Sequence, residues 1–271
     1  MTITTTRAAD GASAYTFDNA ARDGEQLDIL ARILDEPSID MLVRVGIPQG
    51  GRCLDVGPGA GTITTWLAEQ VGPTGHVVAL DLDPRHITGG NNITIQQGDV
   101  RTVDLPPGQF DLIHTRQVLL HLAERDAVVD RLVAALKPGG VLVVSEWDAT
   151  DRNMLLHAPS PQAATAFTTF QDALLDILAS NGADVGWSRR APLLLRAAGL
   201  VDVTTVAHNQ LWAGGEAGNL LHVSNSQQLQ DALLARGMAL SQLELLREAM
   251  QDPDTLAYCY WLFTTTGRRP R

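Results

Sequence analysis

Apolar residues in the first half of the chain come in short, nearly continuous runs, each cut off by glycine, proline or an acid. Cys53-Leu54-Asp55-Val56 runs into Gly57, and His76 to Leu80 ends on Asp81. Ile93–Gln97 runs into Gly98, and Phe110–Thr115 and Val141–Glu146 complete the series. Short apolar runs bounded by turn residues predict buried strands. Helical stretches separate them, one from Thr62 and one over Glu124–Leu136 that stops at Lys137-Pro138-Gly139-Gly140. Strand and helix in alternation predict a parallel sheet with crossover helices. Upstream, Leu27, Leu30, Ile33 and Leu34 recur at helical spacing within Tyr15–Val45, and Pro37-Ser38 should divide that stretch into two helices. Residues 1–14 are small and polar and are expected to be disordered. Downstream, Gln162–Ser180 and Ser188–Ala198 read as helices, Val201–Ala207 as a sixth strand, and 216–250 as an inserted helical cap. Ala257–Thr265 reads as the final strand, antiparallel and at the edge beside the sixth.

The turn after the first strand is Gly57-Pro58-Gly59-Ala60-Gly61. Glycine admits backbone angles and close approaches that other residues resist. A strand turning sharply into a helix also offers free N–H groups to a polar ligand. A dinucleotide turn prefers G-x-G-x-x-G, whereas this one is G-x-G-x-G with Asp55 two residues before the first glycine. Asp81 ends the second strand about twenty residues past the last glycine, where an acid can accept both ribose hydroxyls of an adenosine. Asp83 is expected to be a solvated neighbour that caps the short segment after it. Gly98-Asp99-Val100 follows the third strand, and Leu136-Lys137-Pro138-Gly139-Gly140 leads into the fifth.

In this order the elements resemble the class I S-adenosylmethionine (SAM)-dependent methyltransferases, with the nearest likeness to the ubiquinone/menaquinone-type and small-molecule enzymes of secondary metabolism. The resemblance is strong over residues 40–150 and looser towards the C-terminus. It implies an α/β, Rossmann-like fold: a seven-stranded, mostly parallel sheet with an antiparallel last strand, an N-terminal helical lid and a helical insertion near the C-terminus. Residues 1–45 would form the tail and lid, 46–150 the SAM-binding core, and 151–271 the substrate-side helices and last strands, packed with the core as one structural domain. The resemblance further implies SAM as cofactor and S-adenosylhomocysteine as product. Asp55, Gly57, Gly59, Gly61, Asp81 and Leu82 would bind it. Asp99 would accept from the adenine amine, the Val100 backbone would meet the ring edge, and the His114 backbone would meet the methionine end. One departure is the short segment Pro84–Asn92, where the fold's usual helix must be truncated or missing.

Bulk properties narrow the partners. With 271 residues the chain suits one domain with an added cap. A net charge of −11 argues against a nucleic-acid or anionic-membrane surface. Cys53 and Cys259 sit in apolar runs and suggest neither zinc nor a disulfide framework. No apolar signal core or membrane-length run is present, so a cytoplasmic protein is the default expectation. The leucine-rich insertion is a candidate homodimer contact as well as ordinary core.

The expected chemistry is methyl transfer to an oxygen, nitrogen or carbon of a small organic acceptor, largely by proximity and orientation. His121 is a candidate general base, and a satisfied packing histidine is the favoured alternative. Arg116 is a candidate catalytic or acceptor-pairing residue, and a structural ion pair with an acid such as Glu146 is the alternative. Tyr15, Gln117 and Trp147 are candidate acceptor contacts, and Phe17 and Asn19 are further lid candidates. Trp212, Tyr258 and Trp261 could add aromatic walls, and His157 and His208 are weaker base candidates. His114-Thr115-Arg116-Gln117 replaces the motif expected of base-amino methylation, and no metal set is expected. Two other readings share the features: a SAM-binding cyclase or isomerase that transfers no methyl, and an NAD(P)-dependent oxidoreductase. The G-x-G-x-G spacing argues against the second.

Overall fold

The computed structural model describes residues 23–271; the expectations for residues 1–14 and for Tyr15, Phe17 and Asn19 lie outside them. The chain runs α1 (Asp23–Val45), β1 (Arg52–Val56), α2 (Thr62–Val71), β2 (His76–Asp81), β3 (Ile93–Gln97), β4 (Phe110–Arg116), α3 (Arg125–Ala135) and β5 (Leu136–Asp148). It continues through β6 (Leu155–His157), α4 (Pro161–Ser180), α5 (Ala191–Ala197), β7 (Val201–His208), β8 (Leu211–Ala213), α6 (Ala217–Gln228), α7 (Gln230–Ala235), α8 (Leu240–Ala249), β9 (Leu256–Tyr258) and β10 (Trp261–Arg268).

The main sheet has seven strands in the order β3-β2-β1-β4-β5-β10-β7. β1 to β5 pair in parallel, and β10 is antiparallel to both of its neighbours. The near-continuous apolar runs are explained by burial on both faces. Leu54, Val56, Val78, Leu80 and Ile113 pack with α3 and α5 on one face. Cys53, Val77, Leu112, Val141 and Val143 pack with α2 and Leu42 of α1 on the other. A third cluster joins α1, α4, α6 and α8 into the helical cap expected over 216–250. Both cysteines are buried and free.

Three expectations are corrected. The last strand is not at the edge: β10 lies between β5 and β7, and β7 is the edge. Being antiparallel to β10 makes β7 parallel to β5, which leaves a slot that the C-terminal strand fills. Side-chain hydrogen bonds tie it on both sides, Ser145 to Thr264 and Thr205 to Thr265, each at 3.0 Å. The expected single strand over Ala257–Thr265 is in fact two, because β9 turns aside into a small sheet of order β6-β9-β8. Finally, α1 runs unbroken through Pro37. Its buried residues Ile29, Ile33, Leu34 and Leu42 are held by two clusters, and such packing outweighs a local helix breaker. Between β2 and β3 only a 3-10 turn remains, Pro84–His86, with the Asp83 side chain accepting from the Arg85 N–H as expected.

Candidate active site

The glycine turn joins β1 to α2 with Gly57, Gly59 and Gly61 at φ of 65, 57 and 77°. These are left-handed angles that favour glycine. Space makes the same demand. A Cβ on Gly57 would lie 2.2 Å from Val118 Cγ2, and one on Gly59 3.0 Å from Leu27 Cδ2 of α1. No side chain caps α2, whose first amides therefore keep their hydrogen-bonding capacity at the turn. Asp81 accepts from the Asp83 N–H at 2.9 Å and from the Gly59 N–H. Burial raises its pKa, and those two donors oppose the rise. Leu82, next to it, is exposed.

Asp55 is turned inward rather than towards a ligand. It is fully buried; Thr64 Oγ1 donates to Oδ2 at 2.6 Å, and His114 Nδ1 lies 2.8 Å from Oδ1. A carboxylate paired in this way can only accept, so Nδ1 carries the proton. The acid thus ties β1, β4 and α2 together beneath the turn, and His114 Nε2 is left buried without a partner. Asp99 is also committed: Arg101 Nε donates to both oxygens at 3.0 and 2.9 Å, and Nη2 to Oδ2 at 2.7 Å. That guanidinium holds the Asp99 pKa low. Val100 is buried beside it.

The segment after β4 is the second half of the site. Arg116 makes the structural ion pair of the alternative reading, with Asp35 in place of Glu146, and it does not line the cavity described below. Its Nη1 donates to Asp35 Oδ1 at 2.9 Å and Ser38 Oγ at 3.2 Å, latching α1 to the end of β4. Gln117 has a positive φ of 56°, uncommon for a residue with a side chain. Its Oε1 accepts from the Trp147 N–H at 3.4 Å, and its buried Nε2 has no partner. A turn over Leu119–His121 follows. The fully buried Glu146 carboxylate holds this turn, accepting from the N–H groups of Val118, Leu119 and Leu120 at 3.1, 2.8 and 3.4 Å. Burial pushes Glu146 up to about 8, against the pull of those three donors.

Together these elements line a cavity at the carboxyl ends of β4 and β5 under α1, α4 and α6. Gln117, His121 and Trp147, three of the residues singled out in the sequence, meet in its wall. Sequence reasoning missed Gln26, Asn225 and Tyr260. Gln26 Nε2 donates to Asn225 Oδ1 at 2.7 Å across the cavity wall, a pairing 199 residues apart with no local signal. Tyr260, rather than the expected Tyr258 or Trp261, supplies the aromatic wall: its ring lies 5.4 Å from that of Trp147, whereas the other two are exposed. Burial pushes His121 down to about 4, helped by the Arg125 charge. Behind the wall the Tyr260 hydroxyl donates to Gln171 Oε1 at 2.7 Å, and Gln171 Nε2 donates to His222 Nδ1 at 3.1 Å. Burial pushes His222 down to about 4 as well. Trp212 and His208 line a separate cavity of about 230 Å³ beyond Trp147 and Tyr260, and His157 is exposed. Among the described residues no group of three or more His, Cys, Asp or Glu is arranged to hold a metal ion, and no helix is long and apolar enough to cross a membrane.

Solved structures share this architecture. Phosphoethanolamine N-methyltransferase 2 of Haemonchus contortus, solved with phosphomonomethylethanolamine and S-adenosylhomocysteine, aligns at a TM-score of 0.60 and 13% identity, over 97% of this chain and 61% of that one. The YcgJ protein of Bacillus subtilis aligns at 0.56 and 15% identity, over 87% and 99%. Fold and glycine turn thus define the Rossmann-like class in which SAM methyltransferases are found. The methyltransferase domain family matches residues 26–186, and the chain belongs to it. Curated relatives agree. The ubiquinone/menaquinone biosynthesis C-methyltransferase UbiE of Pseudomonas aeruginosa is 29% identical over 123 residues, 42% of this chain and 48% of that protein. Methyltransferase str3 of Strobilurus tenacellus is 29% identical over 208 residues, 73% and 70% of the two. The matched part spans about half the length of the UbiE relatives.

Proposed function

We propose that this protein transfers a methyl group from SAM to a small organic acceptor held in the cavity lined by Gln117, His121, Trp147 and Tyr260. One observation carries the reading. The glycine turn and the acceptor cavity share a wall, because Val118 packs against Gly57 while its neighbours Gln117, Leu120 and His121 line the cavity. The fit to the cofactor rests on the glycine-only turn, the uncapped start of α2, and Asp81 beside them. When bound, SAM supplies the activated methyl group. The turn amides and the Asp81 carboxylate would hold its polar groups. With Asp55 and Asp99 already paired within the protein, Asp81 is the leading carboxylate for that contact. Trp147 and Tyr260 would flank the acceptor and exclude water, so that orientation does most of the work. His121, neutral at pH 7 with a pKa of about 4, can receive a proton only from a strongly acidified nucleophile. The proposed role for it is therefore positioning first and base second. The phosphorylated ligand of the Haemonchus structure is not carried over, because among the described residues no cationic side chain lines this cavity.

The test is calorimetric titration of S-adenosylhomocysteine into the native chain and Asp81→Ala. Binding that weakens by about tenfold or more in the variant is expected for loss of a charge-assisted hydrogen bond. Absence of binding to the native chain would remove the cofactor assignment.

A further inference from the structure

Resting on the reading that this cavity is the acceptor site, we propose that it selects uncharged, flat acceptors and rejects anionic ones, with Gln117 Nε2 as the donor that fixes the acceptor's oxygen. Three observations carry this. First, among the described residues every side chain lining the cavity is apolar, amide, tryptophan, tyrosine or histidine, with no Asp, Glu, Lys or Arg. Second, the charged residues flanking Gln117 and Trp147 in sequence are committed elsewhere. Arg116 is held by Asp35 and Ser38, Glu146 by three backbone N–H groups, and Asp148 by Thr150 and Arg189. Third, Gln117 is fixed and one-sided: its Oε1 is engaged by the Trp147 N–H, and its Nε2 is buried with no partner. A buried amide donor without a partner is a cost that a ligand oxygen removes. The aromatic pair Trp147 and Tyr260 suits a flat ring beside that donor. An anion entering these walls would give up its hydration and find no opposite charge.

The test uses the full chain saturated with S-adenosylhomocysteine and two probes that differ chiefly in charge, 2-naphthol and 2-naphthyl phosphate, titrated calorimetrically. We expect 2-naphthol to bind at least about tenfold more tightly, reflecting the uncompensated desolvation of the phosphate. Gln117→Leu should weaken 2-naphthol by about fivefold or more through loss of the donor. Gln117→Asn, which tolerates the positive φ but retracts the amide, should weaken it as well. Equal or tighter binding of the phosphate, or no detectable binding of 2-naphthol, overturns charge selection. Naphthol affinity unchanged in both variants overturns the role of Gln117. Failure of S-adenosylhomocysteine itself to bind speaks against the methyltransferase reading instead, and the probe comparison is then read on the cofactor-free chain.

Discussion

Asp55 and His114 face each other across neighbouring parallel strands, and one carboxylate serves both the imidazole at 2.8 Å and the Thr64 hydroxyl at 2.6 Å. The acid of the glycine motif is thus a brace under the turn rather than a hand extended to the ligand. Asp55→Ala strands two buried polar groups and should lower unfolding free energy by about 2–4 kcal/mol, read by urea titration. Asp55→Asn, which keeps one acceptor oxygen, should lose less. A loss below about 0.5 kcal/mol in the alanine variant would show that the brace contributes nothing.

Glu146 gives a test on the alkaline side. Its folded pKa is raised from 4.5 to about 8, so its contribution to stability is fully present below 4.5 and is lost as pH rises through about 8. The melting temperature of the native chain should therefore fall between about pH 5 and 8.5 relative to Glu146→Gln. At acid pH the protonated acid and the amide each offer one carbonyl oxygen to the turn, so the two proteins should start close together there and separate as Glu146 ionises. Parallel pH curves for the two proteins would contradict the assignment.

On the acid side the sign reverses. His222 and His121 have folded pKa values lowered from 6.5 to about 4, so the stability they contribute is present above 6.5 and lost as pH falls through about 4. His222→Phe should flatten that decline without abolishing it, since His121 remains. The ring sits among Phe167, Phe170 and Tyr260, which accept a phenyl group, while Gln171 loses a partner. An unchanged acid limb would mean that His222 does not titrate in this window.

The contact between Gly57 and Val118 can be tested by coupling. Gly57→Ala combines a φ of 65° with a Cβ placed 2.2 Å from Val118 Cγ2, and should cost about 1–3 kcal/mol. Val118→Ala removes the obstructing methyls. The double variant should recover part of the loss, a coupling of about 0.5 kcal/mol or more. Strict additivity would mean that the two turns do not meet as described.

How much of this could be read from the sequence depended on the range of the interaction. β2 and β3 match their expected limits because an apolar run ended by a polar or turn residue is a local signal. The place of β10 is a long-range fact: nothing in Trp261–Arg268 says which gap in the sheet it enters. β6 and β8, three residues each, are too short to show a period. Pro37 is a strong local stop overruled by burial on two sides. Within the site, Gln117, His121 and Trp147 were legible because they lie at or just past the carboxyl ends of β4 and β5, where ligands gather. Glu146 was visible as an acid, but its three backbone partners were not, since a turn's amides leave no mark on residue type.

The walls of the cavity have two separate ancestries within the fold. Its floor is built from the strand-end turns beside the glycine turn, and Gly57 against Val118 joins the two. Its roof, with Leu174, Leu178, Leu221 and Asn225, belongs to the helical cap. A cap grafted from a relative would bring a new taste in acceptors and leave S-adenosylhomocysteine affinity where it was.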